Sequence, residues 1–195
     1  MITQLDTKSV YTFMDSLVSI RDYIQRAKEM GYQQIGLMDI DNLYGAYEFL
    51  EECQKAGMGA VLGTKGYKHL IKISSMKMMG TTDWSAFQHL LDDIAIIVPY
   101  FEGIEYLDLG QDFAIGVFPD TPAKHFSRPV FPLHTVRYFS TSDLESLQML
   151  HAIRNNCSLK EVGAVAASMM LLPPEELERA FAHNYPDSIS YLEQT

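Results

Sequence analysis

Two acidic side chains near the start of the chain are the residues best placed to do chemistry. Asp39 and Asp41 directly follow residues 35–38, an apolar run that we interpret as a buried strand. Their spacing of two places both carboxylates on one face of an extended segment, where they could act as a catalytic pair. The alternative is structural, because Asp41 or Asn42 could instead cap the helix that follows.

Other residues that commonly do chemistry form no recognisable pattern. The six histidines are scattered, without a His-x-His or His-x-x-x-His pair, at His69, His89, His125, His134, His151 and His183. His151 lies on an amphipathic pattern, which favours a packing or surface role over a ligand role. Residues 63–66 lack the spacing of a phosphate-binding loop. Cys53 and Cys157 are far apart in sequence, which favours two reduced thiols over a disulfide or zinc site.

Composition and charge favour a protein that contacts other proteins over one that binds nucleic acid. The 195 residues, 47% of them hydrophobic, suffice for one sizeable core. The formal net charge is −10, whereas strong DNA binding needs clustered cations that displace counterions. The densest cationic set has the spacing of a solvated helix face and comprises Lys65, Lys68, Lys72 and Lys77. No apolar run is long enough for a membrane span and the start lacks signal-peptide features, which predicts a cytoplasmic protein.

Alternating helix and strand patterns predict the elements that position these residues. Ser19 can cap a helix that Gly31 ends, and a second helix is expected over residues 43–56. Besides residues 35–38, we expect strands at residues 2–5, 60–62, 94–98, 104–109, 113–118 and 130–133. Further helices are expected at residues 65–79 and 83–91, at residues 142–154 behind a Ser142–Glu145 capping box, and after Pro173. This order indicates an α/β protein with a parallel sheet.

The final predicted helix carries a partial apolar stripe. Leu177, Phe181 and Tyr185 share one face of that helix. We expect this part of the chain to be mobile, or to bury the stripe against another molecule.

The order and spacing of several motifs resemble one protein family. LDTKSVYTFMDSL (5–17) and IGLMDIDNLYGA (35–46) resemble the opening of the PHP domain of bacterial DNA polymerase III alpha subunits of the DnaE type. The resemblance continues through residues 66–80, 93–99 and 134–156. It implies an α/β fold, a distorted (β/α) barrel of mostly parallel strands with metal ligands at their carboxyl ends. The chain is then interpreted as an N-terminal fragment, with a degenerate PHP domain at 1–172 and the start of the connection to the polymerase core at 173–195.

The resemblance also implies that the family's metal ligands have been replaced. The family has a His-x-His motif with a following acidic residue, an Asp-His motif and a late Asp-x-His motif. Those positions are occupied here by Asp6, Lys8, Val10, Asp39, Ile40, Thr135 and Arg137, and of these Asp39 retains the family's residue. Two of them are cations, which are unsuited to a site whose ligands must be neutral or negative. We therefore expect no metal and no cofactor in this fragment, with Mg²⁺ belonging only to the absent polymerase core.

Cations are instead expected to take the place of the metal. We expect Lys8 or Arg137 to form a salt bridge with at least one of Asp6, Asp39 and Asp41. The alternative is that both cations point into solvent.

A further departure from the family lies at Gly63 and Thr64. In the family, a ligand glutamate and more sheet precede the helix that begins with Gly-Tyr, whereas here Gly63 is followed almost directly by Gly66 and Tyr67. We expect that a segment is missing at this junction, and the barrel is then incomplete there. The sequence leaves open whether the gap is natural, engineered or due to residues left out of it.

These residues favour a non-catalytic structural module. By resemblance, the parent subunit is a template-directed DNA polymerase of chromosomal replication, and the module packs against the rest of that subunit. A proofreading exonuclease or another replisome protein is a further expected partner, on family analogy alone. The competing interpretation is a metal-dependent phosphoesterase or 3′–5′ proofreading exonuclease of the PHP type, but the lost ligands argue against a metal-bound hydroxide.

Overall fold

The computed structural model contains helices and parallel strands and describes residues 2–40, 42–65, 95–108, 112–162 and 169–186. The helices are α1 (Ile20–Glu29), α2 (Ala46–Ala56), α3 (Leu144–Asn155) and α4 (Pro174–Ala182). The strands are β1 (Gln34–Ile40), β2 (Gly59–Lys65), β3 (Ile97–Pro99), β4 (Ala114–Val117) and β5 (Val130–Pro132). All pairs among these strands are parallel, which confirms the predicted α/β class. Within the described residues, the strands form open sheets rather than a closed ring.

The described residues divide into two compact units. The first unit comprises residues 2–65 and 134–177, and the second comprises residues 95–133 and 178–186 where they are described. No described helix is both long and apolar enough to cross a membrane.

The first unit is built on a parallel sheet around the opening residues of the chain. β1 pairs with β2 from Gln34–Gly59 to Ile40–Lys65. Isolated parallel bridges extend this sheet at Gln4–Ile35, Thr7–Val136 and Tyr138–Met170. Since parallel strands end at one edge, this topology brings the residues after Leu5, β1 and Leu133 to a common edge.

Helix α1 packs on this sheet through the apolar face that its sequence predicts. The hydroxyl of Ser19 accepts a hydrogen bond from the Asp22 N–H at 3.3 Å, as expected for the helix cap. Tyr23 is fully buried in that face, and its ring stacks on Phe49 of α2. The Tyr23 hydroxyl donates to the carbonyl of Gly36 at 3.1 Å, which joins α1 to β1. Burial in this position raises the pKa of the Tyr23 hydroxyl.

One glycine allows β1 to approach the opening residues closely. The Gly36 N–H donates to the Gln4 carbonyl at 2.6 Å. A Cβ atom added at Gly36 would lie 2.5 Å from the Leu5 carbonyl oxygen, a distance that only a backbone shift could relieve. Glycine is therefore required at Gly36 by close packing.

The second unit contains a smaller parallel sheet in the order β3, β4, β5. Its register pairs Ile97 with Ala114 and Ile115 with Val130. Near the carboxyl end of the unit, the ring of Tyr185 stacks on Phe126, with 6.3 Å between the centroids, and its hydroxyl donates to the Pro122 carbonyl.

The expectation of an uncovered stripe on the final helix is wrong. Leu177, Phe181 and Tyr185 are all buried within the chain. Tyr185 contacts Pro122 and Phe126 of a proline-rich loop, and the helical period of the stripe could not predict the path of that loop.

Three local predictions are also corrected. Residues 104–109 do not begin as a strand, because Ile104–Tyr106 is a 3-10 turn preceded by Gly103 in the left-handed region at φ +93°. The capping box lies two residues earlier than predicted, at Ser140 and Asp143, and Asp143 accepts from the Ser140 N–H at 2.9 Å. The predicted opening strand at residues 2–5 is present only as an isolated bridge. The predicted helices at 65–79 and 83–91, as well as Asp41, fall outside the described residues.

Candidate functional site

An internal ion pair lies at the first position where the family places metal ligands. The ammonium of Lys8 contacts the carboxylate of Asp6 and donates to the Met38 carbonyl at 2.6 Å. The second oxygen of Asp6 accepts from the Thr135 hydroxyl at 2.5 Å. Only 4% of Lys8 is exposed, and Asp6 is also buried. The buried ammonium therefore supplies positive charge to Asp6 from within the chain.

The backbone explains why these side chains meet. Lys8 N–H donates to the Val136 carbonyl at 3.0 Å, and Val136 N–H donates to the Asp6 carbonyl at 2.9 Å. Asp6 and Lys8 are two residues apart on an extended segment, so their side chains emerge on the same face. Thr135 reaches Asp6 because its strand is paired with this segment through the Thr7–Val136 bridge.

Asp39 accepts hydrogen bonds from the loop formed by residues 9–14. Its Oδ1 accepts from the Ser9 N–H at 2.6 Å and from the Thr12 hydroxyl at 2.7 Å, and its Oδ2 accepts from the Ser9 hydroxyl at 2.7 Å. The Thr12 hydroxyl in turn accepts from the Ile40 N–H at 3.2 Å. Asp39 is almost fully buried. The carboxylate that the family motif retains thus ties the end of β1 to this loop.

Arg137 belongs to a different charge cluster, which sequence reasoning missed. Its guanidinium contacts Asp15, and Arg154 Nη1 lies 2.6 Å from Asp15 Oδ1. His151 Nε2 lies 3.3 Å from the same oxygen. Asp15 is buried, so the two arginines compensate a carboxylate that water scarcely reaches. Of the two cations expected to replace the metal, Lys8 contacts an expected acid, while Arg137 contacts Asp15 instead.

Besides the Asp15 cluster, the sequence motifs also do not identify His134. It is buried, and its Nε2 lies 2.8 Å from the Met170 carbonyl. Burial lowers the pKa of His134, while the Met170 carbonyl and the Asp6 carboxylate oppose that shift. His134 precedes Thr135 directly, but a lone histidine beside a motif carries no spacing signal by which to identify it.

The described residues do not fit a metal centre. No three His, Cys, Asp or Glu side chains within the described ranges are arranged to hold an ion. The Asp6 carboxylate faces an ammonium, and Asp39 accepts hydrogen bonds on both oxygens. Val10 and Ile40 stand at two ligand positions but offer no side-chain donor atom. A divalent ion at Asp6 would have to displace or lie beside the Lys8 ammonium, whose positive charge repels it.

Comparison with known proteins assigns the family. Residues 4–67 match the PHP domain family. A DNA polymerase III subunit alpha of Streptococcus pyogenes serotype M1 is 41% identical over 99% of this chain and 21% of its own length. A second from Streptococcus pyogenes is 40% identical with the same coverage, and one from Chlamydia pneumoniae is 35% identical over 32% of this chain and 5% of its own length. The chain therefore contains a PHP domain over residues 4–67, as its motifs predict. It spans about a fifth of the length of the curated relatives that match it most fully.

The relatives also contain residues that this chain lacks. The match to the serotype M1 protein extends over 215 residues, which is 20 more than the 195 of this chain. This difference agrees with the expectation of a missing segment, but the placement of that segment at Gly63 and Thr64 stays a prediction. In the structure, β2 continues through this junction and pairs with β1 as far as Lys65.

Proposed function

We propose that this chain is a non-catalytic structural PHP module of a DNA polymerase III alpha subunit. The observation that carries the proposal is the buried Lys8 ammonium in contact with Asp6 and the Met38 carbonyl. A divalent cation bound by Asp6 would lie within a few ångströms of this ammonium, and such a repulsion is weakly screened in a buried site.

The competing enzymatic function lacks such support. A PHP-type phosphoesterase or exonuclease needs a metal to activate water, and Asp39 is already engaged by Ser9 and Thr12. We therefore assign no cofactor to this chain and place the Mg²⁺ requirement in the polymerase core of the whole subunit.

The proposed partner is the remainder of that subunit. Its support is the similarity to polymerase alpha subunits that are about five times as long as the matched region. A proofreading exonuclease or another replisome protein is a further proposed partner, and strong direct nucleic-acid binding is not proposed because the net charge is −10. We assign residues 1–172 to the module and 173–195 to its connection, a division supported by the start of α4 at Pro174. The proposed location is the cytoplasm, where bacterial chromosomes are replicated.

Metal analysis tests this function directly. The chain is expressed in medium supplemented with zinc, manganese and iron, purified without chelator and analysed by inductively coupled plasma mass spectrometry. We expect no stoichiometric metal, and no hydrolysis of single-stranded DNA or of a chromogenic phosphodiester. Two or more metals per chain that disappear in an Asp6→Asn, Asp39→Asn variant would overturn the non-catalytic assignment.

Metal uptake by a Lys8→His variant is compared with metal uptake by the wild-type chain. It removes the ammonium and supplies a ligand type that the family uses at this position. If Lys8 is what excludes the metal, this variant should take up more zinc than the wild type does. Equal uptake would show that the remaining replacements suffice to exclude the ion.

A further inference from the structure

We propose that residues 10–14 and the start of α2 form the surface through which this module docks onto the rest of the polymerase subunit. The inference rests on the proposed function and specifies its contact site. We call this surface the aromatic patch and define it by Val10, Tyr11, Phe13, Tyr44, Tyr47 and Leu50.

The aromatic patch is exposed although its residues are those that proteins usually bury. Phe13 is 78% exposed, Tyr44 is 77% exposed and Tyr47 is 78% exposed. Val10, Tyr11 and Leu50 add further exposed apolar side chains on the same loop and helix. Single exposed apolar residues are ordinary, but several together mark an interaction surface, and tyrosine and phenylalanine are enriched at the centres of interfaces.

The loop that carries half of the aromatic patch has a defined position. Asp39 accepts from Ser9 and Thr12, which fixes the residues on either side of Val10 and Tyr11. The side-chain amide of Asn42 donates to the Tyr11 carbonyl at 3.0 Å. A docking surface whose backbone is already ordered loses less conformational entropy on binding.

The loop also lies directly against the start of α2. A Cβ atom added at Gly45 would lie 2.8 Å from the Tyr11 ring, so the ring covers the residue that precedes α2. The Tyr11 hydroxyl donates to Glu48 at 3.2 Å. These contacts join the loop and the exposed side chains of α2 into one surface.

The absent part of the subunit is the occupant that fits this surface best. The relatives carry about four fifths of their length outside the region that matches this chain. A second copy of the chain is disfavoured because each copy carries a formal charge of −10. Single-stranded nucleic acid can stack on aromatic rings, but it also needs cations along its backbone. Beside the patch, Arg21 is paired with Glu48 at 3.7 Å, so its positive charge is offset.

Binding in trans tests this inference. The probe is the Streptococcus pyogenes DNA polymerase III alpha subunit from which the region matching this chain has been removed, immobilised after a single cooperative thermal transition shows that it is folded. Binding of the wild-type chain is compared with that of a Phe13→Ser, Tyr47→Ser double variant. Tyr106→Ser is the matched control, because Tyr106 is an exposed tyrosine of the second unit. Thermal melts of all three chains verify that the exposed substitutions leave the fold intact.

We expect the wild-type and Tyr106→Ser chains to bind alike, and the double variant to bind on the order of tenfold or more weakly. If all three bind equally, the aromatic patch is not the docking surface, although the proposed structural role stands. If the wild-type chain does not bind the folded probe, both the inference and the proposed partner are wrong. The wild-type chain could instead self-associate or bind single-stranded DNA. If the double variant loses that activity but still binds the probe, the patch belongs to that other partner and the inference is wrong.

Discussion

Replacing Lys8 by methionine should destabilise the first unit substantially. The substitution keeps most of the side-chain volume but removes the ammonium that contacts Asp6 and the Met38 carbonyl. Asp6 then remains as a buried carboxylate that keeps its hydrogen bond from Thr135. Breaking a buried ion pair by removing one partner costs about 3–5 kcal/mol. Because the Thr135 hydroxyl still solvates Asp6 in part, we expect a value near the lower end, about 3 kcal/mol.

Urea unfolding followed by far-UV circular dichroism measures this loss. With a denaturant dependence of about 1–3 kcal/mol/M, a destabilisation of about 3 kcal/mol lowers the midpoint by roughly 1–3 M. Lys55→Met is the matched control in the same unit, since Lys55 pairs with Glu51 and Glu52 on the exposed face of α2. These ion pairs are exposed, and water solvates Glu51 and Glu52 once the ammonium is gone, so we expect no resolvable shift of the midpoint.

A double-mutant cycle distinguishes the ion pair from general packing effects. In the Asp6→Asn, Lys8→Met double variant, the carboxylate that caused the penalty is gone. Its loss of stability should therefore be smaller than the sum of the two single losses, with a coupling of about 1–3 kcal/mol. Strict additivity, or a Lys8→Met midpoint equal to that of Lys55→Met, would refute the assignment of Lys8 as the internal replacement for a metal.

Three further measurements follow from the structure. Gly36→Ala should destabilise the protein by about 1–3 kcal/mol in urea unfolding, because its Cβ would clash with the Leu5 backbone; a neutral result would contradict this close approach. Burial lowers the pKa of His134 below its usual 6.5, so His134 takes up a proton at higher pH in the unfolded chain than in the folded chain. The free energy of unfolding should therefore fall as pH decreases below about 6.5. His134→Gln should reduce that slope between about pH 5 and 7, and an unchanged slope would rule out His134 as its source. Burial raises the pKa of the Cys53 thiol to about 11, so a thiol reagent at neutral pH should modify the more exposed Cys157 first in the folded chain, as peptide mapping would show.

The sequence predicts a helix correctly where its cap, apolar face and terminating residue all indicate the same bounds. Helix α1 has a serine cap, an apolar face and a terminating glycine, and all three agree on its bounds. The capping box of the 3-10 turn Thr141–Asp143, which leads into α3, shows the limit of this reasoning, since Ser140–Asp143 and Ser142–Glu145 have the same spacing. The structure selects the earlier pair because Asp143 also accepts from the Phe139 N–H at 3.2 Å, a contact that depends on the incoming loop.

One of the two charge clusters can be predicted from the sequence, and the other cannot. Asp6 and Lys8 are two residues apart on an extended segment, so strand geometry alone brings them together. Asp15 and Arg154 are 139 residues apart, and their contact depends on how α3 returns to the segment that contains Asp15. No periodicity encodes such a contact. The family motifs single out Arg137, but they do not predict that its partner is Asp15.

Hydrogen-bond donors and internal cations compensate three buried carboxylates of this PHP domain. Lys8 accompanies Asp6, Arg137 and Arg154 accompany Asp15, and the loop donors Ser9 and Thr12 accompany Asp39. Each of these three carboxylates is buried, and each has donors that belong to the same chain. A metal would fix the same strand ends only while it stayed bound, whereas these contacts form with the fold itself. Asp39 thereby fixes Ser9 and Thr12 on either side of Val10 and Tyr11, which belong to the docking surface that we propose.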